Sequence, residues 1–238
     1  NKATLQDRKR QRSGRFAELR SSHTLRYARV DETPSQRVEM KLWRKGYKRV
    51  ACLDEVGRGS LAGPVVAAAV MLNSPLKVKS LRDSKKMTAK KRQEFYKILT
   101  NHSSVEWGIG KVYPKMIDRI NILEATKLAM KRAVEKLKTK NGRIKINFLI
   151  LDGKMKLDLP ILQKSIVKAD EKVVSCAIAS IIAKVKRDRA MMRYHKRYPQ
   201  YGFDQHKGYG TKYHLKTLKK FGPCKIHRKS FRPVDNLT

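Results

Sequence analysis

The sequence predicts a mixed α/β sheet with a small helical C-terminal lobe, and three observations carry that reading. Apolar, strand-like runs come first as near neighbours, at 48–53, 64–72 and 105–112. Further runs at 144–151 and 165–168 then alternate with segments of helical periodicity. Beyond Tyr198 the chain changes character, mixing Gly, Pro, aromatic and His residues around one last helical stretch at 212–219.

Taken in order, residues 1–36 read as a basic, largely disordered arm ending near Pro34, and residues 37–238 as the folded domain. Residues 1–30 hold nine Lys or Arg against two acids, and Phe16, Leu19 and Leu25 are too sparse for a core. Val38, Leu42 and Trp43 predict a short helix packed on the domain. The run 64–72 is almost wholly apolar, as expected of a strand buried on both faces. In 105–112, Trp107, Ile109 and Lys111 alternate with Gly108 and Gly110. Between these two strands, 85–99 places Phe95, Ile98 and Leu99 at helical spacing. Residues 120–138 carry a stripe of Ile122, Ala125, Ala129 and Ala133, flanked by Leu123, Met130, Val134 and Leu137, with Asn141-Gly142 as the stop. A second strong helix, 173 to about 192, turns Val174, Ile178, Ile181, Ile182 and Val185 inward. There are no internal repeats.

The charge balance narrows the partners. Fifty-seven Lys and Arg stand against 20 Asp and Glu, a formal net charge of +37, while 40% of residues are apolar. Such an excess predicts an anionic partner, nucleic acid foremost, whose phosphates supply a salt-sensitive attraction. No 18-residue apolar run and no secretory signal is visible, so a membrane is not expected and the chain reads as cytoplasmic. Cys52, Cys176 and Cys224 are scattered and lack metal spacing; the first two sit in apolar runs and read as core thiols of a reducing compartment.

Against that basic background, acids collect at strand ends: Asp54 with Glu55, then Asp152, then Asp170. Carboxylates at neighbouring strand ends converge on one edge of a sheet, an arrangement suited to Mg²⁺, which takes hard oxygen ligands and completes its shell with water and substrate phosphate. A lone Asp at such a place is ordinarily a turn residue or helix cap, and Asp170 precedes a helix. Four acids including an adjacent pair are less ordinary. Gly57-Arg58-Gly59 follows the pair at once. Its glycines let backbone N–H groups approach a sugar or phosphate, and Arg58 can fork onto phosphate oxygens; taken alone, a tight turn with a solvated Arg would look the same. His206, His214 and His227 are expected to contact phosphate or satisfy loop carbonyls rather than move protons.

These residues resemble the type II ribonuclease H family. The block Asp54-Glu55-Val56-Gly57-Arg58-Gly59-Ser60-Leu61-Ala62-Gly63-Pro64-Val65-Val66-Ala67-Ala68-Ala69 is similar to its first motif and Asp83-Ser84-Lys85-Lys86 to its second. Leu151-Asp152-Gly153 and Lys168-Ala169-Asp170 look like its third and fourth acid sites. Ser175 to Val185, Arg187-Asp188, Tyr201-Gly202-Phe203, His206-Lys207-Gly208-Tyr209-Gly210-Thr211 and His227-Arg228-Lys229-Ser230-Phe231 complete a likeness over residues 39–234. The resemblance implies an RNase H-like sheet flanked by helices and Mg²⁺- or Mn²⁺-dependent endonucleolytic hydrolysis of RNA in RNA/DNA hybrids, with 3′-hydroxyl and 5′-phosphate ends. It extends to ribonucleotide-containing duplex DNA, and so to DNA replication and ribonucleotide excision repair, by a monomeric enzyme. By motif match Asp54, Glu55, Asp152 and Asp170 are the metal-binding catalytic acids. Gly57, Arg58 and Gly59 would read the ribose 2′-hydroxyl and phosphate, Tyr209 would stack on the next sugar, and Lys85 would contact phosphate.

Two positions depart from the family pattern. Ala169 stands where it usually has Gly, and Glu171 where it usually has a small residue, so metal affinity or pH optimum is expected to differ. The arm at 1–36 lies outside the resemblance. The rival readings are an inactive hybrid-binding protein, which the intact acids oppose, and the sister type III enzyme, which Tyr209 within Lys-Gly-Tyr-Gly-Thr opposes.

Overall fold

The computed structural model describes residues 34–76, 87–139, 142–143 and 145–237. Residues 1–33 of the expected arm at 1–36, and Lys85 with its Asp-Ser-Lys-Lys motif, lie outside the described residues. Ser35 and Gln36 already belong to the domain. Ser35 N–H donates to the Lys172 carbonyl at 3.0 Å, and the Gln36 amide both donates to and accepts from the Leu76 backbone. Helix α1 (Arg37–Arg44) follows and sets Val38, Leu42 and Trp43 against the sheet as expected.

Strands β1 (Val50–Val56), β2 (Val65–Leu72) and β3 (Val105–Val112) form an antiparallel meander, in which Asp54 pairs with Ala68 and Val65 with Val112. Helix α2 (Ala89–Asn101) connects β2 to β3. Its first turn is capped by Thr88, whose side chain accepts the Lys91 N–H, which places the start after the expected 85. Helix α3 (Pro114–Glu135) comes next, then the two-residue strands β4 (Lys138–Thr139) and β5 (Gly142–Arg143). Strand β6 (Phe148–Asp152) lies parallel to β1, and β7 (Leu162–Ile166) lies parallel to β6. The five-stranded order is β3-β2-β1-β6-β7. A single turn, α4 (Ala169–Lys172), leads into the long helix α5 (Val174–Arg197).

Every residue of β2 is buried, as its continuous apolar run requires. Its alternate residues serve two cores. Ala67, Ala69 and Met71 meet Ala125, Ala129 and Ala133 of α3, while Ala68, Val70 and Leu72 meet Ile178, Ile181 and Ile182 of α5. The glycines of β3 explain the alanine stripe. A Cβ on Gly110 would stand 1.8 Å from the Ala129 carbonyl oxygen, and one on Gly108 2.2 Å from that of Ala133. Helix and strand backbones touch there, and neither side has room for a larger residue.

The reading of 120–138 as one helix captures only the second part of α3. Asn121 breaks it at φ 62°, ψ 169°, and its side-chain oxygen accepts the Leu123 and Glu124 N–H groups, restarting the helix as a cap would. After α5 the chain forms a 3-10 turn (Pro199–Tyr201), the short α6 (Phe203–His206) and α7 (Lys212–Phe221). This lobe packs Tyr201, Phe203 and Ile226 on Met191 and on Ala62, which comes from the β1–β2 connection. Cys52 and Cys176 are buried and free, as expected of core thiols. Among the described residues no helix is long and apolar enough to cross a membrane.

Candidate active site

The parallel pairing of β1 with β6 assembles the acids. Leu53 pairs with Leu151, so the next residues, Asp54 and Asp152, emerge side by side at the same end of adjacent strands. Asp152 Oδ1 accepts the Ala169 N–H at 2.7 Å, across a separation of 17 residues. That bond anchors the turn of α4, on which Asp170 sits buried. Two sequence expectations need adjusting. Asp54 and Glu55 lie within β1, not past its end, because β2 continues to pair with them, and Asp170 rides a helical turn rather than ending β7. A left-handed Lys168 at φ 57° turns the chain from strand to helix there.

Burial and neighbouring carboxylates raise the pKa values of the central pair. The Asp54 carboxyl is held well above the usual range, first by burial and then by Glu55, with a smaller push from Asp152. The Ser180 hydroxyl on α5 and the Glu55 N–H, 2.8 Å from Asp54 Oδ1, oppose the rise. Glu55 is also raised, by burial and by Asp152, while Arg58 at 3.2 Å pulls it down. Three acids thus share one electrostatic neighbourhood. Among the described residues no group of three or more His, Cys, Asp or Glu side chains stands in position to hold a metal ion.

Beside the acids, the Gly57–Pro64 connection is held by two arginines to which the motifs alone assigned no role. Arg228 is fully buried and donates to the carbonyls of Gly57 (2.6 Å), Arg58 (2.7 Å) and Gly63 (3.0 and 3.1 Å). Arg187, also fully buried, donates to Ala62, Pro64 and Lys207. Burial lowers both guanidinium pKa values, and Arg187 adds repulsion at Arg228; this ring of carbonyls makes up for lost water. Gly57, at φ +90°, leaves no space for a side chain, since a Cβ would lie 2.1 Å from Arg187 Nε. Around Gly59 no atom lies within 4 Å of such a Cβ, so its surface is open.

Tyr209 stands against this turn. Ser60 and Tyr209 form an antiparallel bridge, the Leu61 N–H donates to Gly208 O at 2.8 Å, and the Arg187 guanidinium lies 5.4 Å from the Tyr209 ring centre. The ring is 37% exposed. Behind it the three histidines satisfy loop carbonyls and one another. His214 Nδ1 meets the Tyr209 carbonyl, His206 Nε2 meets that of Tyr201, and His214 Nε2 lies 3.1 Å from His227 Nε2. Burial lowers all three, His214 and His227 to about 4.

One further signal was present in the sequence. Ala179, Ala183, Arg187 and Met191 form a row at spacing four, and all are buried. A charge within an apolar helical row marks a side chain with fixed partners. Arg228, in a loop, carries no such mark, and neither does Ser180.

The mixed five-stranded sheet and its flanking helices define an RNase H-like fold. A ribonuclease HII family model matches residues 51–234. The ribonuclease HII of Alkaliphilus oremlandii is 44% identical over 83% of this chain and 97% of its own length, and that of Acetivibrio thermocellus is 51% identical over 81% and 73%. The crystal structure of the ribonuclease H2 from Pyrococcus horikoshii superimposes with a TM-score of 0.63 at 26% identity, over 79% of this chain and 96% of that one. The chain belongs to the ribonuclease HII family: it is an endoribonuclease that acts on the RNA of RNA/DNA hybrids.

Proposed function

We propose that this enzyme, besides cutting hybrids, incises duplex DNA on the 5′ side of a single embedded ribonucleotide, by two-metal-ion catalysis that leaves 3′-hydroxyl and 5′-phosphate ends. The observation that carries the reading is the bridge between Ser60 and Tyr209. It joins an exposed aromatic ring to the glycine turn that directly follows Asp54 and Glu55. Telling RNA from DNA requires sensing a 2′-hydroxyl, which both donates and accepts. Backbone groups at Gly57 and Gly59 are the sensors. Arg228 occupies the carbonyls of Gly57 and Arg58 from inside, which fixes the peptide planes of the turn. Tyr209 packs on the adjacent sugar where the hydroxyl is missing, so ring and turn together mark an RNA-to-DNA junction. Arg58, half exposed and paired with Glu55, is free to exchange that weak partner for a phosphate. Lys85 is proposed as a further phosphate contact.

The acids suit Mg²⁺ or Mn²⁺. Asp54, Glu55, Asp152 and Asp170 would hold it. Their donors are hard carboxylate oxygens, and two of them carry a repulsion and desolvation cost that a cation relieves. A preformed three-ligand cage is not needed, since Mg²⁺ binds through one or two carboxylates and takes its other ligands from water and substrate phosphate. When bound, such ions activate the attacking water and neutralise charge on the scissile phosphate. The enzyme is further proposed to act as a monomer.

The test is a duplex carrying one ribonucleotide. Incision is expected at its 5′ side, and Tyr209→Ala is expected to depress that incision far more than it lowers the melting temperature. An enzyme that cuts long hybrids well but ignores the lone ribonucleotide would sink the junction reading.

A further inference from the structure

The edge strand β3 borders a groove of about 670 Å³ lined by Trp107, Lys111, Tyr113, Arg132, Lys136 and Lys186, together with the backbone from Gly108 to Ile109. Its cations come from β3, from α3 and the residue that ends it, Lys136, and from α5, and no acidic residue lines it among the described residues. The side chains are arranged rather than loose. Arg132 donates to the Lys111 carbonyl at 2.7 Å, and the Lys186 ammonium lies 4.8 Å from the Trp107 ring centre. Lys111 is partly buried, and its pKa is lowered by that burial and by Arg193, Lys186 and Lys136 around it. Crowding four cations in this way costs free energy that an anion would recover. Tyr113, 52% exposed, adds a flat apolar face at the mouth.

The position matters as much as the charge. Asp54 pairs with Ala68, and Ala68 pairs with Ile109, so the groove strand lies two strand spacings, roughly 10 Å, from the β1 acids. Val112, beside Lys111, pairs with Val65, the first residue after the braced connection ends at Pro64. Duplex DNA rises about 3.4 Å per step along each strand, so phosphates a few steps from the cut fall within this range.

We propose that this groove is a second phosphate-binding site, which holds the backbone of the substrate duplex a few nucleotides away from the scissile bond. Cations interleaved with aromatic rings suit a phosphodiester backbone, with charge for the phosphates and ring faces for sugar or base. The inference rests on the hybrid-binding part of the proposed function and does not depend on recognition of a lone ribonucleotide.

The competing role for these lysines is to blunt an exposed sheet edge against pairing with another chain. A charge cycle separates the two, using the full chain and RNA/DNA hybrids in which neutral methylphosphonate linkages are walked along the flanks. In Lys111→Gln/Lys136→Gln, KM for the fully charged hybrid is expected to rise severalfold with kcat unchanged and the melting temperature no lower than that of the wild type. The slope of log KM against log salt should shrink by about 0.9 for each phosphate that is no longer neutralised. Neutral linkages at one short stretch of flank should raise the wild-type KM while adding nothing in the double variant. Effects that multiply at every linkage position would show a diffuse charge contribution and overturn the site. An unchanged KM, or a fall in kcat or melting temperature with the salt slope intact, would overturn it equally. If wild-type enzyme failed to cut the charged hybrid, the enzymatic reading itself would fail, an outcome readable before any variant is made.

Discussion

Gly57 and Gly59 sit two residues apart in one turn and answer to different constraints. Gly57 has a positive φ and no room beside Arg187, so Gly57→Ala is expected to cost at least about 2 kcal/mol in stability and to lower the melting temperature. Gly59 faces open space, so Gly59→Ala should melt like wild type and lose cleavage of the lone ribonucleotide. Equal stability losses in the two variants would refute the idea that Gly59 is kept small for the substrate. Asp54 offers a complementary test. Asp54→Asn keeps the shape and removes the charge, so cleavage should vanish while hybrid binding, carried mainly by basic contacts to phosphates, persists. Chelator should likewise abolish wild-type cleavage and added Mg²⁺ or Mn²⁺ restore it; full activity in excess chelator would end the metal proposal.

At the level of elements, the turn and the tyrosine are held from behind by a layer of buried arginines and histidines. Each carbonyl stranded by loss of Arg228 would cost about 1–3 kcal/mol, which explains why a buried charge is tolerated there. The histidine stack supports the other side. His206 and His214 lie with ring centres 4.3 Å apart, and the contact between His214 Nε2 and His227 Nε2 needs one ring to donate and the other to accept. Both rings cannot be charged in that geometry. Their folded pKa values, about 4, lie below the ordinary 6.5, so the unfolded chain binds more protons between these values. Stability from the stack is therefore full above pH 6.5 and declines as pH falls toward 4. Melting temperature against pH should show that decline, and His214→Gln should flatten it. A slope unchanged by the variant would place the acid sensitivity elsewhere.

Over the whole molecule the net charge of +37 sets how the enzyme meets a polyanion. Nine Lys or Arg fall within residues 1–30, and among the described residues the domain's own hydrogen bonds begin at Ser35. Removing residues 1–33 is expected to leave chemistry at saturating substrate intact. Binding should weaken, most at low salt, with the salt slope reduced by about one unit for each phosphate that the segment had neutralised. A truncated protein that is inactive at saturation would show that the segment supports the fold.

What residues 34–237 display of their design divides by distance along the chain. The sequence alone was enough for β2 and β3 and for the inward row of α5, because alternation and helical spacing are local signals. It also anticipated Cys52 and Cys176 as core thiols. It could not place Asp170 on a helical turn, end β1 at Val56, or open α3 ahead of Asn121, since those boundaries depend on a neighbouring strand or a side-chain cap. The brace around the glycine turn was beyond its reach altogether. Pro64 lies 123 residues from Arg187, and Gly57 lies 171 from Arg228. A guanidinium becomes structural only when distant carbonyls close around it and replace its water, and only the tertiary fold decides which carbonyls those are.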